Sequence, residues 1–206
     1  MKISYAITVC NEFIEIQSLL GTLLQHKRPQ DEIVVLFDGK NGSMEVRNFL
    51  KHYSQLNWVK WTEAEFANHF ADWKNQLTEM CSGDYIFQID ADELITESLI
   101  RTLPEILKSN NVDVIRVPRV NTVSGLTREH INKWGWYVDP RGWVNFPDYQ
   151  WRLYKKSPEI KWINKVHEVL TGFKTISEFP ADPEYALIHN KTIERQETQN
   201  GYYETL

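Results

Sequence analysis

Asp84-Tyr-Ile-Phe-Gln-Ile-Asp90-Ala-Asp92-Glu93 is an apolar run that ends in three carboxylates. Tyr85 to Ile89 favours β structure, and the turn residues Ser82-Gly83-Asp84 bound it upstream, so it reads as a short buried strand. A strand interior does not hold unpaired carboxylates, because each costs several kcal/mol or takes up a proton. The acidic group is therefore expected where the strand leaves the sheet. Asp90 and Asp92 stand two apart, and extended chain turns alternate residues the same way, so both can aim into one cleft. Hard oxygen ligands so placed suit Mg²⁺ or Mn²⁺, which keep water and a ligand's phosphates in much of their shell. A solvated turn at the strand end, to which Glu93 simply adds charge, is the other reading of the same residues.

Upstream, Ile3 to Val9 reads as a strand that ends at Thr8-Val-Cys-Asn11-Glu12. Phe13, Ile16, Leu19, Leu20, Leu23 and Leu24 then recur at helical spacing, and His26 to Pro29 closes that helix. Asp31 to Phe37 is a second buried strand, halted at Asp38-Gly39. Ser43 caps a helix with Val46, Phe49, Leu50 and Tyr53 on its buried face. Asn57 to Trp61 is a short third strand. The order β-α-β-α-β predicts a parallel sheet with right-handed crossovers. In such sheets ligands bind outside the carboxyl ends of the strands. Asn11, Glu12, Asp38, Asp90 and Asp92 would all arrive at that edge. Between the third strand and the acidic one, the spacing predicts a helix that starts at an Asp72 cap. Lys74 and Asn75 would lie in its first turn, where Lys74 either meets a phosphate or is a solvated lysine.

Downstream, Thr96 to Ser109 reads helical, with Pro104 starting a second segment or kinking the first. Val112 to Val120 reads as one strand, placed at a sheet edge by Pro118. Asn121 to Pro147 has no periodicity and is expected to be a long functional or mobile loop. Tyr149 to Lys155, Ile160 to Ile163, Lys165 to Leu170 and Ala186 to His189 are short strands. The polar tail from Asn190, with Arg195, Tyr202 and Tyr203, is either a helix over the site or frayed.

The bulk numbers narrow the function classes. The chain has 206 residues, 42% hydrophobic and 25% charged, enough for one large domain with a real core. A net charge of −5 without a basic run disfavours nucleic acid and anionic membrane as partners. No apolar signal region or membrane-length run is present. Two cysteines, Cys10 and Cys81, fit reduced thiols in a cytoplasmic protein. Five of the eight tryptophans fall between Trp134 and Trp162, as core or as a platform for sugar rings.

Taken together these motifs resemble the family 2 glycosyltransferases with the GT-A fold, in their small bacterial and viral branch. The matching pieces are Ile7-Thr-Val-Cys-Asn11-Glu12, Asp38-Gly39, Asp72-Trp-Lys-Asn75, Asp90-Ala-Asp92-Glu93 as a DxD motif, Arg152-Leu-Tyr-Lys-Lys156 and Val166-His167-Glu168. Asp38-Gly39-Lys40-Asn41-Gly42-Ser43 departs from the family's acidic doublet, and the usual Glu-Asp pair of the catalytic base is not visible. The resemblance implies an α/β fold of GT-A type, a Rossmann-like, mostly parallel sheet flanked by helices. It implies one domain over 1–206, with a nucleotide-binding half (1–95) and an acceptor-binding half (96–206). It further implies transfer, normally with inversion, from a nucleotide sugar such as a UDP-sugar to a glycan or other hydroxyl acceptor, with Mn²⁺ or Mg²⁺. On that resemblance Thr8, Val9, Asn11 and Glu12 rim the nucleotide pocket and Asp38 meets the base. Asp90, Ala91 and Asp92 face the donor, Asp92 binds the metal, and His189 or His167 adds a ligand. An inverting transfer needs a carboxylate to take the acceptor's proton, and the candidates are Glu168, Asp148 and, more distantly, Asp139. Trp134, Trp136 and Trp143 are candidates to stack the acceptor, and Arg152 to meet either the diphosphate or a carboxylate. A non-catalytic binding module on the same fold is the alternative.

Overall fold

A computed structural model of the chain describes residues 1–204. Its first half follows the sequence pattern closely. Strand β1 (Ile3–Val9) leads to helix α1 (Phe13–His26), strand β2 (Glu32–Asp38), helix α2 (Met44–Gln55), strand β3 (Lys60–Ala64), helix α3 (Phe70–Met80) and strand β4 (Tyr85–Asp90). Helix α1 buries Ile16, Leu19, Leu20 and Leu23 on one face, and Ser43 caps α2 by accepting from Val46 N. Helix α3 starts earlier than its sequence suggests. His69, not Asp72, is the cap, and its Nδ1 accepts from Asp72 N at 3.2 Å. The extra turn is held by aromatic packing, with the Phe66 ring 4.8 Å from Phe70 and 5.6 Å from Trp73. Lys74 consequently lies past the first turn.

The second half runs β5 (Glu93–Ile95), α4 (Glu97–Ser109), β6 (Val114–Val117), β7 (Arg119–Ser124), α5 (Arg128–Trp134), β8 (Gln150–Lys155), β9 (Lys161–Ile163), β10 (Val169–Thr171), β11 (Ile176–Glu178), a short 3-10 turn at Pro183–Tyr185, β12 (Leu187–Thr192) and α6 (Ile193–Glu204). Helix α4 is a single helix through Pro104, whose cost of about 3 kcal/mol is outweighed by burial of Leu99, Ile100, Leu103 and Leu107. The expected strand over 112–120 is broken at Pro118 into β6 and β7, which join different sheets. Strand β6 is not at an edge, since β11 and β8 flank it. The stretch 121–147 is not wholly irregular. It holds the end of β7 and helix α5, which a Thr127–His130 capping box starts. His167 sits in a loop rather than a strand, because β10 begins only at Val169.

The main sheet has the order β11-β6-β8-β4-β1-β2-β3, parallel except for β8, which runs antiparallel to both its neighbours. A three-stranded sheet, β5-β12-β7, stands beside it. Alternation along β1 explains the layers. Ile3, Tyr5, Ile7 and Val9 pack with α1, α2 and α4, whereas Ala6 packs with Ala71, Trp73 and Leu77 of α3. Register then sets the site. Thr8 of β1 lies opposite Asp90 of β4, and Asp38 ends β2 at the same edge. Among the described residues no helix is long and apolar enough to cross a membrane.

Candidate active site

Two adjoining cavities open at the carboxyl ends of the parallel strands. The larger, of about 570 Å³, is lined by Thr8, Val9, Asn11 and Glu12 after β1, by Asp38 after β2 and by Asp90, Ala91 and Asp92 after β4. Its rim is built by local hydrogen bonds. Glu12 Oε2 accepts from Cys10 N at 2.8 Å and Asn11 N at 3.1 Å, which folds the strand end back before α1 begins. Burial, with the nearby charge of Asp92, raises the Glu12 pKa although the Cys10 backbone donor and the Arg195 charge oppose the shift. Asp38 is almost fully buried, and its carboxylate accepts from Asn41 Nδ2 at 2.8 Å and Lys40 N at 3.1 Å. Gly42 lets this loop close, because a Cβ there would lie 2.3 Å from Asp38 O. Burial and the charges of Glu12 and Asp38 push the Cys10 thiol up to about 12.

The smaller cavity, of about 380 Å³, is lined by Asn121, Trp136, Asp148, Arg152, Trp162, His167 and His189 among others. Lys74, Asp90, Asp92, Glu168, Gln199 and Tyr203 line both cavities and form the wall between them. Three residues of the smaller cavity hold positive φ without being glycine: Asn145 at 55°, Asp148 at 34° and His167 at 52°. Each such conformation costs on the order of 1–3 kcal/mol and persists only where its surroundings fix it.

The charged groups pair in a definite pattern. Lys74 is 4% exposed; its Nζ lies 2.5 Å from Glu168 Oε1, 3.6 Å from Asp90 Oδ1 and 4.8 Å from the Trp162 ring centre. Arg152 NH2 donates to Asp90 Oδ2 at 2.5 Å and to Glu93 Oε1 at 2.6 Å. Burial alone would raise the Asp90 pKa, but Arg152 and Lys74 hold it well below the usual carboxylate range. Burial likewise opposes ionisation of Asp92, yet the hydrogen bond and charge of His189 hold it at about 2. The distance from Asp92 Oδ2 to His189 Nε2 is 3.2 Å. Asn121 turns its amide nitrogen to Asp148 at 2.6 Å, so its oxygen faces His189 Nδ1 at 2.9 Å and Nδ1 acts there as a donor. Asp148 is held from three sides: Arg119 and Asn121 donate to its Oδ2 and Gln150 to its Oδ1.

All nine residues expected at the donor line the larger cavity, Lys74 among them as a buried ammonium rather than a solvated one. Glu168, Asp148, Arg152, Trp136, His167 and His189 line the smaller one. Both cavities draw on both halves of the chain. Arg152 contacts carboxylates, the second of its two expected partners. Neither Trp134 nor Trp143 lines either of these two cavities. Trp134 stacks on His130, and Trp143 packs against Phe146 beneath Arg141. Asp139 caps a turn, accepting from Arg141 N and Trp143 N. His189 reaches Asp92, whereas the His167 ring faces Tyr203 at 5.9 Å. Among the described residues no three His, Cys, Asp or Glu side chains converge as a metal cage. Glu93 is not a solvated charge at all, being fully buried against two arginines. Sequence reasoning missed Arg119 and Asn121, although their spacing of two in a half-buried strand puts them on one face.

Helix α6 lies over the site. Arg195 reaches Glu15 at 2.6 Å, Asp92 at 3.4 Å and Glu12 at 3.5 Å. Tyr202 donates to Asn68 at 3.0 Å, and the Tyr203 ring meets that of Phe70 at 5.9 Å.

The same architecture occurs in S. aureus TarS. The crystal structure of its residues 1–349 superposes with a TM-score of 0.63 at 14% identity, covering 92% of this chain and 60% of that one. TarS 1–349 in complex with UDP gives the same values. Its complex with UDP-GlcNAc gives a TM-score of 0.62 at 14% identity, covering 93% of this chain and 59% of that one. This chain thus spans about 60% of the length of those structures, and at such identity the likeness is one of fold. Comparison with curated proteins finds no match. Residues 4–181 match the Glycosyl transferase family 2 model, and the chain, with its GT-A fold, belongs to that family.

Proposed function

We propose that the chain transfers a sugar from a UDP-sugar to a hydroxyl acceptor, with inversion and with Mn²⁺ or Mg²⁺. The observation that carries this reading is the shared wall of the two cavities. A donor in the larger and an acceptor in the smaller would meet at Lys74, Asp90, Asp92 and Glu168. Uridine as the base is supported by the UDP and UDP-GlcNAc complexes of TarS.

Asp92 and His189 fit a divalent cation. His189 donates its Nδ1 proton to Asn121, which leaves Nε2 turned to the Asp92 carboxylate. Such support of a ligating imidazole by a second hydrogen bond is the common arrangement at metal sites. Two protein ligands leave room for diphosphate oxygens and water, the habit of Mg²⁺ and Mn²⁺. Bound there, the ion supplies charge neutralisation at the departing diphosphate.

Glu168 is the better base. Asp148 already accepts from three side chains, with Arg119 and Asn121 on Oδ2 and Gln150 on Oδ1, which ties it more firmly in place than Glu168. Glu168 meets Lys74, whose ammonium has Asp90 Oδ1 and the Trp162 face as further partners. A shift of Lys74 toward an incoming diphosphate frees Glu168 to accept the acceptor's hydroxyl proton. Trp136 stands where an acceptor ring would stack.

The test is calorimetry and thermal shift with UDP, GDP and ADP, with and without Mn²⁺, followed by assay of UDP-sugar cleavage. UDP is expected to bind only with the metal, and Asp92→Ala to lose that metal-dependent part while staying folded. Folded wild-type protein that binds nucleotide but never cleaves a donor would favour the binding module.

A further inference from the structure

The two aspartates of the site are the ends of one run of polar contacts that passes through the buried carboxylate of Glu93. Asp90 Oδ2 meets Arg152 NH2 at 2.5 Å, and the same nitrogen meets Glu93 Oε1 at 2.6 Å. Glu93 Oε1 also accepts from Arg119 NH1 at 2.9 Å. Arg119 turns its Nε and NH2 to Asp148 Oδ2 at 2.9 and 2.8 Å. From Asp148 the run passes through Asn121 to His189, and from His189 to Asp92. Glu93 Oε2 closes the inner side by accepting from Asp90 N at 3.1 Å.

Stability does not account for this arrangement. Glu93 is 0% exposed and Arg152 3%, and buried ion pairs replaced by apolar groups of similar volume are often neutral or more stable. What the run supplies is geometry. An Arg119 fork that must satisfy Glu93 and Asp148 together is fixed in plane and direction. We propose that Glu93 is a positioning residue: it orders the relay that sets the Asp90 carboxylate at one end and the His189 ring beside Asp92 at the other. Its consequence for turnover rests on the transferase reading above, whereas the relay itself does not.

Glu93→Gln keeps the shape and breaks the pattern. An amide has one acceptor and one donor end, so either orientation sets an N–H against the arginines or against Asp90 N. The first readout needs no substrate. The Nδ1 proton of His189, held by Asn121, is expected as a slowly exchanging downfield resonance in wild-type protein, identified by its loss in His189→Gln. Glu93→Gln is expected to broaden or remove it, and Glu93→Asp to retain it in part. Should Glu93→Gln fail to fold, Arg119→Lys asks the same question. It keeps the charge of a partly exposed side chain but cannot span Glu93 and Asp148 with one fork. The second readout is steady-state turnover of a UDP-sugar. Both variants are expected to lower kcat by about 10- to 100-fold, the usual effect of removing support behind a ligand, with donor KM little changed. An unaltered His189 resonance in folded Glu93→Gln and Arg119→Lys overturns the proposal, as does wild-type kcat in both. A resonance that depends on Glu93 in a protein that never turns over donor keeps the relay and removes the transferase reading instead.

Discussion

Lys74 and Glu168 form the one ion pair on the wall between the cavities whose carboxylate carries no second cation at contact distance among the described residues. That makes Glu168 the group whose loss separates binding from chemistry. Glu168→Gln is expected to leave UDP affinity unchanged by calorimetry and to lower transfer by about 10²–10⁴-fold, the range for a lost general base. Survival of transfer in that variant, with loss in Asp148→Asn, would reassign the base to Asp148. A carboxylate that contributes to acid stability outside the site lies at the opposite end of the strands. Burial alone would raise the Glu32 pKa, but the Lys2 ammonium and the Ser4 and Ser82 donors bring it down to about 2. A carboxylate with a folded pKa below its unfolded value stabilises the fold above the unfolded pKa and loses that contribution as pH falls through the folded one. Glu32→Gln should therefore lower Tm near neutral pH, and its difference from wild type should shrink as pH drops from about 5 toward 2.

At the scale of elements, the first half of the chain was legible because each central strand is buried on both faces. Residues 3–7 and 33–37 are apolar or small runs that only a covered parallel sheet accommodates, and α1 and α2 show helical spacing between them. The carboxylates at the strand ends were legible for the same reason, since a buried strand has nowhere else to put them. The second half offered less. Strand β9 falls within the expected 160–163 and β10 starts later than the expected 165–170, whereas β5 and β11, three residues each, and α5, which buries no residue, are too short or too exposed to show a period. Glu93 was misread because its partners, Arg119 and Arg152, lie 26 and 59 residues away. Helix α6 was left open in the sequence, and its polar composition explains why. It is tied down by Arg195 on Glu15, by Tyr202 on Asn68 and by the Tyr203 ring against Phe70 rather than by a continuous apolar face. Arg195→Gln should therefore speed amide exchange across 193–204 by hydrogen–deuterium exchange while leaving β1 and β4 protected. Equal protection of α6 in both proteins would show that Arg195 does not hold it.

Across the whole molecule, one sheet edge gathers residues from the first strand to the last helix, so that the two cavities share a wall and a roof. On the proposed function, donor and acceptor would meet at the same carboxylates from opposite sides. The aromatic content of those walls has an optical consequence. Trp73 lines the larger cavity, and Trp136, Trp151 and Trp162 line the smaller, while Trp58 is 52% exposed on the far side of the sheet order. The indoles at the cavities are native fluorophores whose emission changes when water around them is displaced, and Trp58 adds a constant red-shifted background. Titration with UDP should quench or shift emission through Trp73, with a smaller part from Trp162 as the Lys74 charge moves off its face, and Trp73→Phe should remove the larger part of that response. An acceptor should register through Trp136 instead, so that the two substrates of an unlabelled enzyme can be followed separately by the colour and intensity of its own light.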